Sequence, residues 1–146
     1  PVESIYPLFN NPKLAPKDLL AVLAYLKSKN YIDNDRIAVV GSSVGANLAN
    51  VAIANMGVKT AVAMSGKTTA VQNLAASKIL NMQSVFYISS NESEGARALW
   101  AKELYQMTQS PRRLTIVPGS QAHGVGIFKD KADLQQEVLE WLGHTL

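Results

Sequence analysis

Four short apolar runs, each trailed by a stretch of helical character, limit what this chain can fold into. The runs are RIAVV at 36–40, TAVAMSG at 60–66, SVFYISS at 84–90 and RRLTIV at 112–117. The first is fully apolar and the second reads as buried, as in strands covered on both faces. Helical segments are predicted at 44–56, within 68–82, at 95–109 and at 130–143. A further helix is predicted in APKDLLAVLAYLKSKN, with Leu19, Leu20, Val22, Leu23 and Leu26 near one face. In the last helix Leu134, Val138, Leu139 and Trp141 are the expected core positions. Strand and helix in alternation imply a mostly parallel sheet with helices on both faces, a three-layer α/β sandwich of about four strands. Residues 1–146 read as one domain. Its first sixteen residues carry four prolines and read as an extended lead-in.

Composition narrows the function classes. The chain has 146 residues, long enough for a sizeable core, and 47% of them are hydrophobic. No apolar run reaches the ~18 residues of a membrane span, and no secretory leader is visible at the start. A cytoplasmic location is slightly favoured. The net charge is +3, but the cations are scattered, with Arg112 and Arg113 the only adjacent pair. A nucleic-acid surface needs clustering, so no nucleic-acid partner is expected. Without cysteine the chain has no disulfide, thiolate zinc site or cysteine nucleophile. The chain starts at Pro1, so either an initiator was removed or this is a piece of something longer.

The first apolar run leads into Gly41-Ser42-Ser43-Val44-Gly45, which fits G-x-S-x-G with Ser43 at its centre. That spacing arises by chance in on the order of 5% of chains this long, given average composition. Its position, after a strand and before a helix, makes it specific. A nucleophile on such a turn sits in a strained backbone, and the residues two before and two after it come close, favouring glycine at Gly41 and Gly45. The helix that follows aims its free amides at the site, and the Val44 amide can meet a developing oxyanion.

A serine hydroxyl needs a base. Of the two histidines, His144 lies on the terminal helix and reads as a surface residue. His123, in VPGSQAHGVGIF, follows the fourth strand on a glycine-rich loop, downstream of the serine, the chain order that goes with a serine on such a strand-to-helix turn. A third, acidic group should fix the imidazole tautomer and follow the third strand. No aspartate occurs between Asp35 and Asp130, leaving Glu92 as the first candidate and Glu94 as the alternative. Asp130 and Asp133 read as the first turn of the last helix.

RIAVVGSSVGANLA and AKELY…LTIVPGSQAHG together resemble the carboxyl-terminal half of an α/β-hydrolase, and within that superfamily the dienelactone-hydrolase-like proteins. The resemblance spans most of 18–146. It implies Ser43 as nucleophile and His123 as base. The family's acid, usually aspartate, falls on or beside Ser93, which leaves Glu92 or Glu94 as substitute. The family also has early strands that supply a second oxyanion amide, and here only residues 1–17 precede the first long helix. The resemblance thus implies a truncated or minimal α/β-hydrolase. The expected function is a serine hydrolase cleaving carboxylic esters or related small acyl compounds, with a small-molecule ester as substrate and neither cofactor nor metal. The alternative is a catalytically impaired binding or interaction domain, or a fragment needing an N-terminal segment. The sheet edge then invites that segment or a second copy of the chain.

Overall fold

A computed structural model describes residues 6–146. Its centre is a parallel sheet of β1 (Ala38–Ser42), β2 (Thr60–Met64), β3 (Gln83–Ser90) and β4 (Gln109–Val117), in the order β1-β2-β3-β4. Registers such as Val40 opposite Val62, Val62 opposite Phe86 and Ile88 opposite Thr115 align the carboxyl ends of all four strands. The helices are α1 (Tyr6–Phe9), α2 (Lys17–Lys27), α3 (Val44–Asn55), α4 (Thr68–Ala75), α5 (Ala96–Met107) and α6 (Leu134–Thr145).

Alternation along the strands splits the core in two. Ala61, Ala63, Val85 and Tyr87 face one side, with Leu23 of α2, Ala49 and Ile53 of α3, Val71 of α4 and Leu104 of α5. Val62, Met64, Phe86 and Ile88 face the other, with Ile127 and with Leu134, Val138 and Trp141 of α6. Alanines in β2 and α3 let strand and helix approach closely: Ala46, Ala49, Ala52 and Ala61 are fully buried. The inner strands β2 and β3 are therefore covered on both faces, with α2, α3, α4 and α5 packed on one side and α6 on the other, while β4 is exposed over its first half. Among the described residues, no helix is long and apolar enough to cross a membrane.

Several local expectations shift. The lead-in is not extended where it is described: α1 makes one turn and tight turns follow through Pro16, with Leu14 and Ala15 carbonyl–amide contacts back to Asn11. The part of it at 1–5 lies outside the described residues. β1 begins at Ala38 and runs on through Gly41 and Ser42, closer to the serine than RIAVV suggested. In α2, Leu23 is buried and Leu19 and Leu26 pack partly beside it, while Leu20 and Val22 are about half exposed. Spacing of four and three puts the first three residues on one stripe and leaves the other two on its flanks. Leu139 is likewise 63% exposed, because Leu134, Val138 and Trp141 already fill the buried stripe of α6. The segment after β2 divides into α4 and a 3-10 turn at Ala76–Asn81.

Candidate active site

Ser43 stands where β1 gives way to α3. Its φ of 56° and ψ of −116° lie in a region that non-glycine residues avoid. The turn is held because the Ser43 amide donates to the Met64 carbonyl at 2.9 Å, extending the β1–β2 pairing, while the Ser43 carbonyl accepts from Ala46 at 3.0 Å. Gly41 is needed for this path: a Cβ there would lie 2.0 Å from the Gly45 carbonyl oxygen. Gly45 is not needed in that way, since a Cβ on it would meet nothing within 4 Å. The close approach is one-sided, and the expectation that both glycines answer to it holds for Gly41 alone. Val44 opens α3, so its amide has no acceptor within the helix.

His123 lies beyond β4 on a loop fastened at several points. Ser90 Oγ donates to the Ala122 carbonyl at 2.5 Å, the Asn91 amide to the Ser120 carbonyl at 2.9 Å, and the Ala122 amide to Ser120 Oγ at 3.1 Å. Ser120 in turn donates to Asp130 Oδ2 at 2.5 Å. Asp130 therefore ends a 3-10 turn at Gly124–Lys129 rather than opening α6; Asp133 occupies the position before α6. The Gly124 amide donates to Ser65 Oγ at 3.0 Å, and a Cβ on Gly124, whose φ is +55°, would fall 2.0 Å from Ser42 Oγ. The loop thus lies against the end of β1, with Ser43 and His123 each one residue from that contact. No hydrogen bond joins Ser43 to His123 among the described residues.

Of the two candidate acids, the structure brings Glu92 to the histidine. Its carboxylate oxygens lie 2.6 and 2.7 Å from His123 Nδ1. A carboxylate can only accept, so Nδ1 is the nitrogen that carries the proton toward Glu92, and in the neutral imidazole Nε2 is the one with a free lone pair. Glu94 makes no such contact. It belongs to a left-handed turn in which Ser93, Glu94 and Gly95 all have positive φ, and that turn separates Glu92 from α5. The Glu92 side chain is 12% exposed and that of His123 42%. The acid is thereby sheltered, while the imidazole stays open to an incoming molecule.

A cleft of about 300 Å³ opens beside Ser43 and Val44, with Asn47, Lys67, Asn73 and Arg97 among its walls. The lead-in reaches it through Asn10, whose carbonyl accepts from Asn73 Nδ2 at 2.6 Å. A larger cleft of about 540 Å³, against Lys59, Gln83 and Trp141, lies at the opposite ends of the strands and away from Ser43. Two residues of the site had no sequence signal. Arg97 places Nε 3.7 Å from Glu92 Oε1, and Ser65, at the end of β2, takes the Gly124 amide. Ser65 could have been suspected only from its place at a strand end.

Fold and strand-end geometry define an α/β-hydrolase. The family model of the prolyl oligopeptidase family matches residues 9–95, more than half of the chain and including Ser43. The chain belongs to that family. Solved structures agree in fold. A dienelactone hydrolase from Anabaena variabilis ATCC 29413 superposes with a TM-score of 0.75 at 20% identity, over 94% of this chain and 62% of that one. An esterase from Pyrococcus furiosus gives 0.73 at 16%, over 94% and 63%. The acylaminoacyl peptidase of Pyrococcus horikoshii gives 0.71 at 14%, over 91% and 28%. The chain thus spans less than two thirds of each of these proteins. Among curated proteins there is no match.

Proposed function

We propose that the chain is a serine hydrolase acting on carboxylic esters or related small acyl compounds. In this reading Ser43 Oγ attacks the carbonyl carbon and its proton passes to His123 Nε2. The Val44 amide stabilises the oxyanion. Glu92 keeps Nδ1 protonated and stabilises the imidazolium while it lasts. The imidazolium then gives its proton to the leaving alcohol as the carbon–oxygen bond breaks. Water then attacks the acyl carbon and gives a proton to Nε2; the Ser43 carbon–oxygen bond breaks, the acid leaves, and Ser43 Oγ takes that proton back from the imidazolium. The observation that carries the reading is the sheltered Glu92–His123 pair on a loop seated against the Ser42–Ser43 turn. A cleft of this volume suits a small acyl group. The missing Ser43–His123 hydrogen bond is compatible with it, since such bonds often tighten only when substrate binds.

That same gap favours a second reading, a hydrolase-like domain that binds a ligand or partner without turning it over. Labelling with a fluorophosphonate, followed by intact mass, separates the two. The first expects one adduct on the parent, none on Ser43→Ala, and labelling slowed by on the order of 10³-fold or more in His123→Ala. A folded parent that takes no label supports the second. Among the described residues β1 is an outermost strand with no partner on its outer edge, which favours a pairing partner there, either a second copy or an N-terminal segment. Sedimentation across a concentration series distinguishes them: self-association points to the copy.

A further inference from the structure

Arg97 has a role that the sequence motifs did not assign. Its guanidinium is fixed from three sides. Nη1 donates to the Ser65 carbonyl at 3.1 Å, the plane lies over the Trp100 ring with the central carbon 4.9 Å from the ring centroid, and Nε faces Glu92 Oε1 at 3.7 Å. Nε is itself buried and has no hydrogen-bond acceptor among the described residues. A buried donor left unpaired needs a reason, and the group it faces is the carboxylate that meets His123.

The reason lies in the charge on Glu92. Its side chain is nearly nine-tenths buried, and a buried carboxylate is costly without a counter-charge. His123 supplies that charge only while protonated. In the resting state of a serine hydrolase the imidazole must be neutral, and Glu92 would then be uncompensated. An arginine stays charged at any working pH. At 3.7 Å it also stabilises the carboxylate without replacing the imidazole, which keeps the 2.6 and 2.7 Å contacts. Ser65 completes the arrangement. Its carbonyl holds Arg97 while its hydroxyl holds the Gly124 amide, so one fully buried residue indexes both the counter-ion and the histidine loop.

We infer that Arg97 is a positioning residue, the permanent counter-ion that offsets the sheltered Glu92 carboxylate and holds it aimed at His123 Nδ1 through the uncharged phase of the imidazole. The inference rests on the proposed hydrolase reading for its purpose, but its geometry is testable without turnover. The ¹⁵N shifts of the His123 ring report which nitrogen carries the proton, and His144→Gln removes the other histidine's signals. At about pH 8, where an ordinary imidazole is neutral, the parent is expected to show Nδ1 protonated. Arg97→Gln keeps a donor for the Ser65 carbonyl but removes the charge, and should give a mixture of tautomers. Arg97→Lys keeps the charge and should restore the Nδ1 form. Turnover of 4-nitrophenyl acetate should follow, with kcat reduced about tenfold or more in Arg97→Gln, KM little changed, and partial recovery in Arg97→Lys. In a Glu92→Gln background, Arg97→Gln should add no further loss, because the group it acts through is gone. An unchanged tautomer in folded Arg97→Gln overturns the inference, as does equal loss in the Lys and Gln variants or a rise in KM alone, which would make Arg97 a substrate contact. A parent that shows the Nδ1 tautomer but neither labels nor turns over ester instead sinks the hydrolase reading and leaves the geometry of Arg97 standing.

Discussion

The strand-to-helix turn depends on single atoms, and its two glycines are unequal. A Cβ on Gly41 would sit 2.3 Å from the Gly45 carbonyl carbon and 2.0 Å from its oxygen, both main-chain atoms that cannot swing away. Gly41→Ala should therefore cost about 3 kcal/mol or more, at the upper end of what overpacking does. Gly45→Ala meets open space at the second position of α3 and should be neutral or stabilising by up to about 1 kcal/mol. Urea unfolding of both variants checks the contrast; equal losses would mean that the turn is crowded from both sides. The motif made the centre of the site legible, because a strained turn leaves a spacing in the sequence. Glu92 was legible only as one of two glutamates. What chooses it is the left-handed turn at Ser93–Gly95, and nothing in the letters S-E-G announces three positive φ values in a row. Arg97 carried no signal and Ser65 only its place at a strand end, since their roles depend on the start of α5 meeting the end of β2 and not on any local spacing.

At the scale of elements, one buried tyrosine ties strand to helix. Tyr87 of β3 is 1% exposed, and its hydroxyl donates to Asn50 Oδ1 of α3 at 2.7 Å and meets Thr108 Oγ1, just past α5, at 2.6 Å. Tyr87→Phe leaves the Asn50 carbonyl oxygen without its donor in a dry interior and should cost about 1–3 kcal/mol. The same burial, outweighing the Thr108 hydrogen bond, pushes the Tyr87 hydroxyl well above its ordinary value of 10.0. In the unfolded chain that hydroxyl ionises near 10, while in the folded protein it keeps its proton. Above that pH the unfolded state binds fewer protons, so stability is intact below about pH 10 and falls as pH rises beyond it. Tyr87→Phe lacks this loss. The stability gap between parent and variant, measured by urea unfolding, should therefore narrow between about pH 10 and 11; a constant gap would show that the hydroxyl ionises equally well in both states. The strands and most helices were legible because apolar runs and helical periods are local. Leu20, Val22 and Leu139 were misplaced because periodicity places a residue near a stripe, whereas only the partner surface decides how wide the buried stripe is.

Across the whole molecule the two faces of the sheet are unequally secured, and the weaker one carries the histidine. Alternation of strand and helix foretold two covered faces, but it cannot say how the helices divide between them. That division follows from strand order, since same-handed crossovers along β1-β2-β3-β4 put α3, α4 and α5 on one side. The other side rests on α6 and on the turn that follows His123, and Leu134 and Ile127, both fully buried, share its cluster with Val117 at the end of β4. Leu134→Ala should lower stability by about 2–5 kcal/mol. Because Ile127 lies four residues beyond His123, it should also loosen the loop and slow fluorophosphonate labelling at temperatures where the variant remains folded. Leu23→Ala empties a position of comparable chemistry on α2, in the opposite cluster. It should cost a similar amount of stability without slowing labelling of the folded protein. Comparing the two variants by thermal unfolding and by labelling rate at the same fraction folded separates loop support from general weakening. Equal slowing in both would mean that the site responds to global stability, whereas slowing in Leu134→Ala alone would place the control of His123 in the α6 face.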